Sequence, residues 1–171
     1  MNLPTPEDLL DRLMAQLTPD TAPEARQDLA LVGMHTGGVW VMESLMDRLG
    51  LHDMANGTLD TSFYRDDYTQ RGLHGDVKPS RIPFEVEGRR ILLIDDVLNT
   101  GRSVRAAMNL LFDYGRPASI RLAVLVDRGG RQLPICADYA GLRLELPAGK
   151  RVNLEKDADG RLSLVVSERQ A

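Results

Sequence analysis

Cysteine occurs once in the 171 residues, as Cys136, so no disulfide can close within the chain and no cysteine-based zinc site can assemble. Histidine is almost as sparse, and three residues scattered at 35, 52 and 74 do not make a metal cage. There is no surplus of positive charge. Twenty-one Lys and Arg against twenty-five Asp and Glu leave a net charge of −4, the wrong sign for a protein whose whole surface wraps nucleic acid, although a local basic patch stays open. No apolar run approaches the roughly 18 residues of a membrane span, and the opening MNLPTPEDLLDRL carries acids where a signal peptide carries Lys or Arg. A cytoplasmic protein, neither exported nor anchored, is expected. Fifteen Gly and nine Pro are ordinary usage and form no tract, which removes collagen-like and low-complexity readings. No internal repeat is visible.

What is present suits one core: 43% of the residues are apolar and 27% charged, and a chain of this length forms a single domain, residues 1–171, by default. Thr5-Pro6-Glu7-Asp8 reads as a helix start, with Leu9, Leu10, Leu13 and Leu17 on one face and Thr18-Pro19 as the stop. LALVG, residues 29–33, reads as a buried strand broken by Thr36-Gly37-Gly38. Val39, Met42, Leu45, Met46 and Leu49 then recur at helical spacing up to Gly50. Residues 58–64 alternate like a strand with one wetter face, and the charged, Gly- and Pro-broken stretch 65–83 has the length of a mobile lid. Strands are expected at 84–87, at 90–95 and at 120–126, with a helix opening at Ser103 and stopped by Gly115-Arg116-Pro117. Residues 152–155 and 162–166 flank Asp159-Gly160 as a terminal hairpin. Strands separated by helices predict an α/β domain: a central, mostly parallel sheet flanked by helices, with a flexible lid hairpin and a C-terminal β extension.

The chemistry concentrates in ILLIDDVLNTGRSV, residues 91–104. A buried strand delivers Asp95 and Asp96 to its carboxyl end, where ligands of parallel sheets bind, and a small-residue loop leads into a helix N-terminus. Helix-start amides favour a phosphate by about 0.3–1 kcal/mol through the dipole, and charge-assisted hydrogen bonds add about 1.5–3 kcal/mol each. Thr100, Gly101 and Ser103 suit that role. Paired carboxylates repel phosphate, so their partners are sugar hydroxyls or a hard cation such as Mg²⁺. Together these features point to a phosphorylated sugar. Taken alone, an Asp-Asp pair at a strand end also occurs in phosphoacceptor receiver domains, but those place it after the first strand and this pair lies past mid-chain. Gly101-Arg102-Ser103 lacks the lysine of a Walker loop, and no dinucleotide glycine pattern is present.

ILLIDDVLNTGRS resembles the thirteen-residue signature of type I phosphoribosyltransferases that binds 5-phosphoribosyl 1-pyrophosphate (PRPP). SFYRDD at 62–67, VRAAMNLLFDYGRPASIRLAVLVDRG at 104–129 and LPICADYAG at 133–141 are similar to the PyrR family, bifunctional pyrimidine-operon regulators and uracil phosphoribosyltransferases. The similarity runs from about residue 29 to about residue 141. It implies the reaction uracil + PRPP → UMP + pyrophosphate, with Mg²⁺ carried by the substrate and no metal held by protein ligands alone. By position, Asp95 and Asp96 hold the ribose hydroxyls, and Val97, Leu98, Asn99, Thr100, Gly101, Arg102 and Ser103 cradle the 5′-phosphate. Thr36, Gly37 and Gly38 form the pyrophosphate loop, which in related enzymes can hold a non-proline cis peptide. Arg65, Asp66 and Asp67 begin a segment that closes over the ribose, with Arg65 acting on the reacting centre, and Arg128 lies on the base side.

Position 99 carries Asn where some purine relatives place a candidate base, and an amide takes no proton at neutral pH. No dedicated side-chain base is expected. The family commonly has basic residues where this chain has His35, Gly37 and Cys136, and a His where it has Gly130. Each lost cation removes a phosphate contact, so catalysis ranks above a second reading, a regulator that senses UMP or UTP and binds pyrimidine-operon RNA. A receiver-like or scaffold α/β domain is the third. Apolar residues on the 39–49 helix and the terminal hairpin predict a homo-oligomer, simplest as a dimer. Met34, Trp40, Met42, Met46 and Met54 read as packing, and Cys136 as an inert small residue.

Overall fold

A computed structural model describes residues 3–62 and 79–168. The first helix, α1 (Pro6–Thr21), starts where expected: Thr5 accepts the Asp8 amide while the Asp8 carboxylate accepts the Thr5 amide, a closed capping box. It does not stop at Thr18-Pro19. Pro19 sits inside the last turn, where only one amide is lost, and Thr18 and Thr21 bond back to the Met14 and Leu17 carbonyls. Leu9, Leu10, Leu13 and Leu17 are all buried.

Strand β1 (Leu29–Met34) is buried at every position and leads into α2 (Gly37–Leu49), which therefore includes the two glycines expected to precede it. Strand β2 (Ala55–Leu59) lies earlier than the 58–64 alternation predicts. The reason is Gly57: a Cβ there would come within 2.6 Å of the Arg81 carbonyl, and Thr58 and Arg81 form an antiparallel bridge across it. Gly57 is the clearance for a crossing chain. Residues 84–87 form no strand. They lead into β3 (Arg90–Leu98), which runs three residues past the expected end and takes Val97 and Leu98 out of the loop. Helix α3 (Arg102–Tyr114) and β4 (Ser119–Asp127) follow, then β5 (Tyr139–Arg143), absent from the sequence reading. The terminal hairpin pairs β6 (Lys150–Lys156) with β7 (Leu162–Glu168) in antiparallel register.

The five-stranded sheet has the order β2-β1-β3-β4-β5, parallel at each junction. Alternation along β3 divides the core: Leu92 and Ile94 join α1, α2 and the β6 residues Val152 and Leu154, while Ile91 and Leu93 join Val104, Ala107 and Leu111 of α3. This is the flanked parallel sheet with a C-terminal β extension that the sequence predicts; the expected lid falls mostly on residues outside those described. Met42, Leu45 and Met46 are buried in the chain's own core, with Trp40 and Leu49 of the same helix partly buried against it. Among the described residues, the large apolar side chains left exposed are Phe112 and Tyr114, on α3. Cys136 is exposed rather than packed. No helix among the described residues is long and apolar enough to cross a membrane.

Candidate active site

From β1 the chain moves outward to β2, then returns to the other side of β1 as β3. The connections therefore diverge between β1 and β3, and a crevice opens beyond the carboxyl ends of these two strands. The loop 35–36 and the N-terminus of α2 line it from one side, and the turn 99–101 and the N-terminus of α3 from the other.

The contacts between these elements are made by backbone. A Cβ on Gly38 would lie 2.4 Å from the Ile94 carbonyl oxygen and 3.0 Å from Asp95 Cα, so α2 begins against β3 with no room for a side chain. A Cβ on Gly37 would lie 2.3 Å from Asp96 Oδ2. The Asp96 carboxylate thus covers the start of α2. His35 and Thr36 are joined by a cis peptide bond, as the resemblance allows, and the His35 amide donates to the Leu59 carbonyl at 2.8 Å.

Neighbours on an extended strand point to opposite faces, which separates the two acids. Asp96 turns to α2, and Asp95 is buried, 4% exposed, with its Oδ1 accepting the Asp96 amide at 3.0 Å. Gly101 precedes α3 in the left-handed region, φ 91°, and Thr100 Oγ1 accepts the Arg102 amide at 3.2 Å. The three helix starts differ. That of α1 is closed by its capping box and carries Glu7 and Asp8; α2 and α3 have no acid in the first turn, and neither N-cap residue, Thr36 or Gly101, makes a side-chain cap bond. Two helix N-termini without acids face one crevice, an arrangement that suits two anionic groups.

The loop 128–135 forms a third wall. The Arg128 amide donates to the Leu98 carbonyl at 3.0 Å, and the Gln132 and Leu133 amides donate to the Thr100 carbonyl at 3.0 and 3.2 Å. Ile135 packs where a Gly101 side chain would be, and Asn99 Oδ1 lies 2.7 Å from a Cβ built on Gly130. The Arg128 guanidinium donates to the Lys150 carbonyl at 3.1 Å and so reaches toward β6. Arg102 extends its Nε to Gln132 Oε1 at 3.0 Å. Of the expected site residues, Thr36, Gly37, Gly38, Asp95, Asp96 and 97–103 meet around the crevice, whereas Arg65, Asp66 and Asp67 lie outside the described residues. Sequence reasoning missed Asp127 and Arg131, which bind each other at 2.5 Å behind the third wall. Their four-residue spacing after a buried strand was the available signal.

Among the described residues, no three His, Cys, Asp or Glu side chains come together as a metal-binding group. The donor chemistry nearest the crevice is the Asp96 carboxylate at the start of α2, a hard oxygen donor of the kind Mg²⁺ prefers.

Comparison with known proteins agrees with this architecture. The family model "Phosphoribosyl transferase domain" matches residues 2–149. "Bifunctional protein PyrR" of Pseudomonas aeruginosa (strain LESB58) is 50% identical over 154 residues, covering 90% of each chain. The protein of the same name from Pseudomonas fluorescens (strain Pf-5) is 48% identical over 164 residues, 96% of this chain and 97% of that one. Among solved structures, a hypoxanthine phosphoribosyltransferase from Staphylococcus aureus superposes with a TM-score of 0.59 at 27% identity, over 84% of this chain and 76% of its own. Sheet order, crevice and sequence identity converge on one assignment: the chain belongs to the phosphoribosyltransferase family, and within it to the PyrR proteins.

Proposed function

We propose that the chain transfers the 5-phosphoribosyl group of PRPP to uracil, giving UMP and pyrophosphate. One observation carries the reading: two acid-free helix starts flank a strand end bearing two carboxylates at the sheet's switch point. PRPP matches it part for part, with phosphate at one end, diphosphate at the other and a diol between. In this reading the end of β3 and the turn that follows it, residues 97–101, take the 5′-phosphate with Arg102 and Ser103, and Asp95 and Asp96 accept hydrogen bonds from the ribose hydroxyls. Thr36, Gly37 and Gly38 present backbone amides to the pyrophosphate. Asp96 is the carboxylate that would face a Mg²⁺ ion carried on the diphosphate, and such an ion would supply charge neutralisation on the leaving group.

Departure of pyrophosphate leaves positive charge on the sugar, so catalysis rests on position and electrostatics. The two carboxylates stabilise that charge while the helix starts hold the departing anion. Arg65, Asp66 and Asp67, outside the described residues, keep the role that the family resemblance implies for them. Asn99 carries an amide that takes no proton at neutral pH, so uracil gives up its N1 proton to water or to a pyrophosphate oxygen. The third wall, 128–135, with Arg128 at its start, borders the base. A dimer, the simplest closed form, belongs to the same proposal and is read by light scattering.

Pyrophosphate release from PRPP and Mg²⁺ should require uracil and fail with adenine or hypoxanthine. The Asp95→Asn, Asp96→Asn double variant should lose at least about 100-fold in kcat/KM while keeping its fold by circular dichroism. Turnover with hypoxanthine in place of uracil contradicts the choice of base; unchanged kinetics in the double variant remove the acids from the mechanism. Binding of pyrimidine-operon RNA, controlled by UMP or UTP, ranks below catalysis because His35, Gly37, Gly130 and Cys136 stand where family members carry cations. Specific submicromolar binding of leader RNA at physiological salt reverses that ranking.

A further inference from the structure

Arg131 has no substrate role in the account above, yet it makes four hydrogen bonds that join two walls of the crevice. Its Nη2 meets Asp127 Oδ1 at 2.5 Å, and its Nη1 donates to the carbonyls of Asn99 at 2.6 Å and Gly129 at 3.3 Å. Its Nε donates to the Ile135 carbonyl at 3.0 Å. Asp127 is buried at the end of β4, so the guanidinium is anchored on the sheet while it grips the turn 99–101 through Asn99 and the loop 128–135 through Gly129 and Ile135. A second cation, Arg143, approaches Asp127 Oδ2 at 4.0 Å but donates to the Ala137 carbonyl instead. Neutralising Asp127 therefore does not require the contact with Asn99.

We infer that Arg131 is a positioning residue that locks the base-side loop to the phosphate turn before substrate arrives. The inference rests on the proposed reaction at this crevice. A transferase must hold its base at a fixed distance from a sugar whose phosphate is held elsewhere, and an error of about 1 Å costs heavily. Here those two holding elements are loops, each with several backbone carbonyls to satisfy. One planar guanidinium with fixed donor directions serves both, and the ordering cost is met at folding rather than at binding. Lysine, with a single ammonium, cannot reach acceptors on the sheet, the turn and the loop together.

The test separates positioning from charge balance. Arg131→Gln leaves Asp127 buried beside a neutral partner, whereas the Asp127→Asn, Arg131→Gln double variant removes both charges. In the double variant the thermal midpoint should recover most of what the single variant loses, while KM for PRPP and for uracil both stay raised about tenfold and kcat changes less than KM. Arg131→Lys should fall between, and Arg143→Gln should keep both KM values within about twofold. Amide hydrogen exchange across 99–101 should be at least about tenfold faster in the double variant than in the native chain. Native KM values or native exchange in the double variant overturn the inference and leave Arg131 as a counter-ion. Should the native chain fail to turn over PRPP and uracil, the proposed function fails, and the exchange measurement still decides whether Arg131 holds the two loops together.

Discussion

Gly37 and Gly38 stand next to each other and answer to different demands. A methyl on Gly38 meets the Ile94 carbonyl, which is backbone of the central strand and cannot move aside. Gly38→Ala should therefore cost about 1–3 kcal/mol of stability, read by denaturant titration. A methyl on Gly37 meets the carboxylate of Asp96, a side chain at the strand's end. Gly37→Ala should turn that carboxylate away and raise KM for PRPP about tenfold, with a smaller loss of stability than its neighbour; equal effects of the two substitutions on both readouts contradict this division. Little of this was legible beforehand. The sequence marks both glycines as a loop for pyrophosphate, but only the packing of α2 on β3 distinguishes the one that touches backbone from the one that touches a reacting-site acid. For Arg131 the spacing to Asp127 is visible in the sequence, but the bond that gives it a second wall to hold, to the Asn99 carbonyl 32 residues away, is not.

Elements with strong periodicity were readable, and those shaped by a crossing chain were not. β3 announces itself as ILLI before its acids, and α3 by the spacing of Val104, Ala107 and Leu111. β2 was misplaced because the alternation at 58–64 drew the strand past Ala55-Asn56-Gly57, and β5 because YAGLR holds too few β-branched residues to declare a strand whose pairing with β4 decides it. The terminal hairpin was foreseen as a separate extension, yet its Val152 and Leu154 are buried in the same core cluster as α1 and α2. Leu154→Ala should thus cost about 2–5 kcal/mol in cooperative unfolding. A loss under about 1 kcal/mol, or a separate early transition, shows a hairpin that merely hangs on the domain.

At the scale of the whole molecule, the proposed site lies at the carboxyl ends of the strands, and a polar tie binds α1 to the sheet elsewhere. Tyr139 on β5 donates to Asp20 Oδ2 at 2.5 Å and accepts from Arg121 Nη1 at 2.7 Å, and Arg121 also pairs with Asp20 at 3.0 Å. Burial, then the bond to the Asp20 carboxylate, raises the Tyr139 pKa above its ordinary 10.0. A folded-state pKa above the unfolded one means the native state holds the proton longer, so this contribution is intact below pH 10 and declines as pH rises through the shifted value. Tyr139→Phe should flatten the fall of stability above pH 10, measured by denaturant titration at stepped pH; an unchanged slope removes Tyr139 as its source. The central claim concerns the opposite property, an affinity rather than a stability. Isothermal titration of PRPP with Mg²⁺ into the folded protein tests it most directly. The account predicts saturable heat at one site per chain, abolished by Asp95→Asn with Asp96→Asn; no heat from the native chain, or the same heat from the variant, contradicts it.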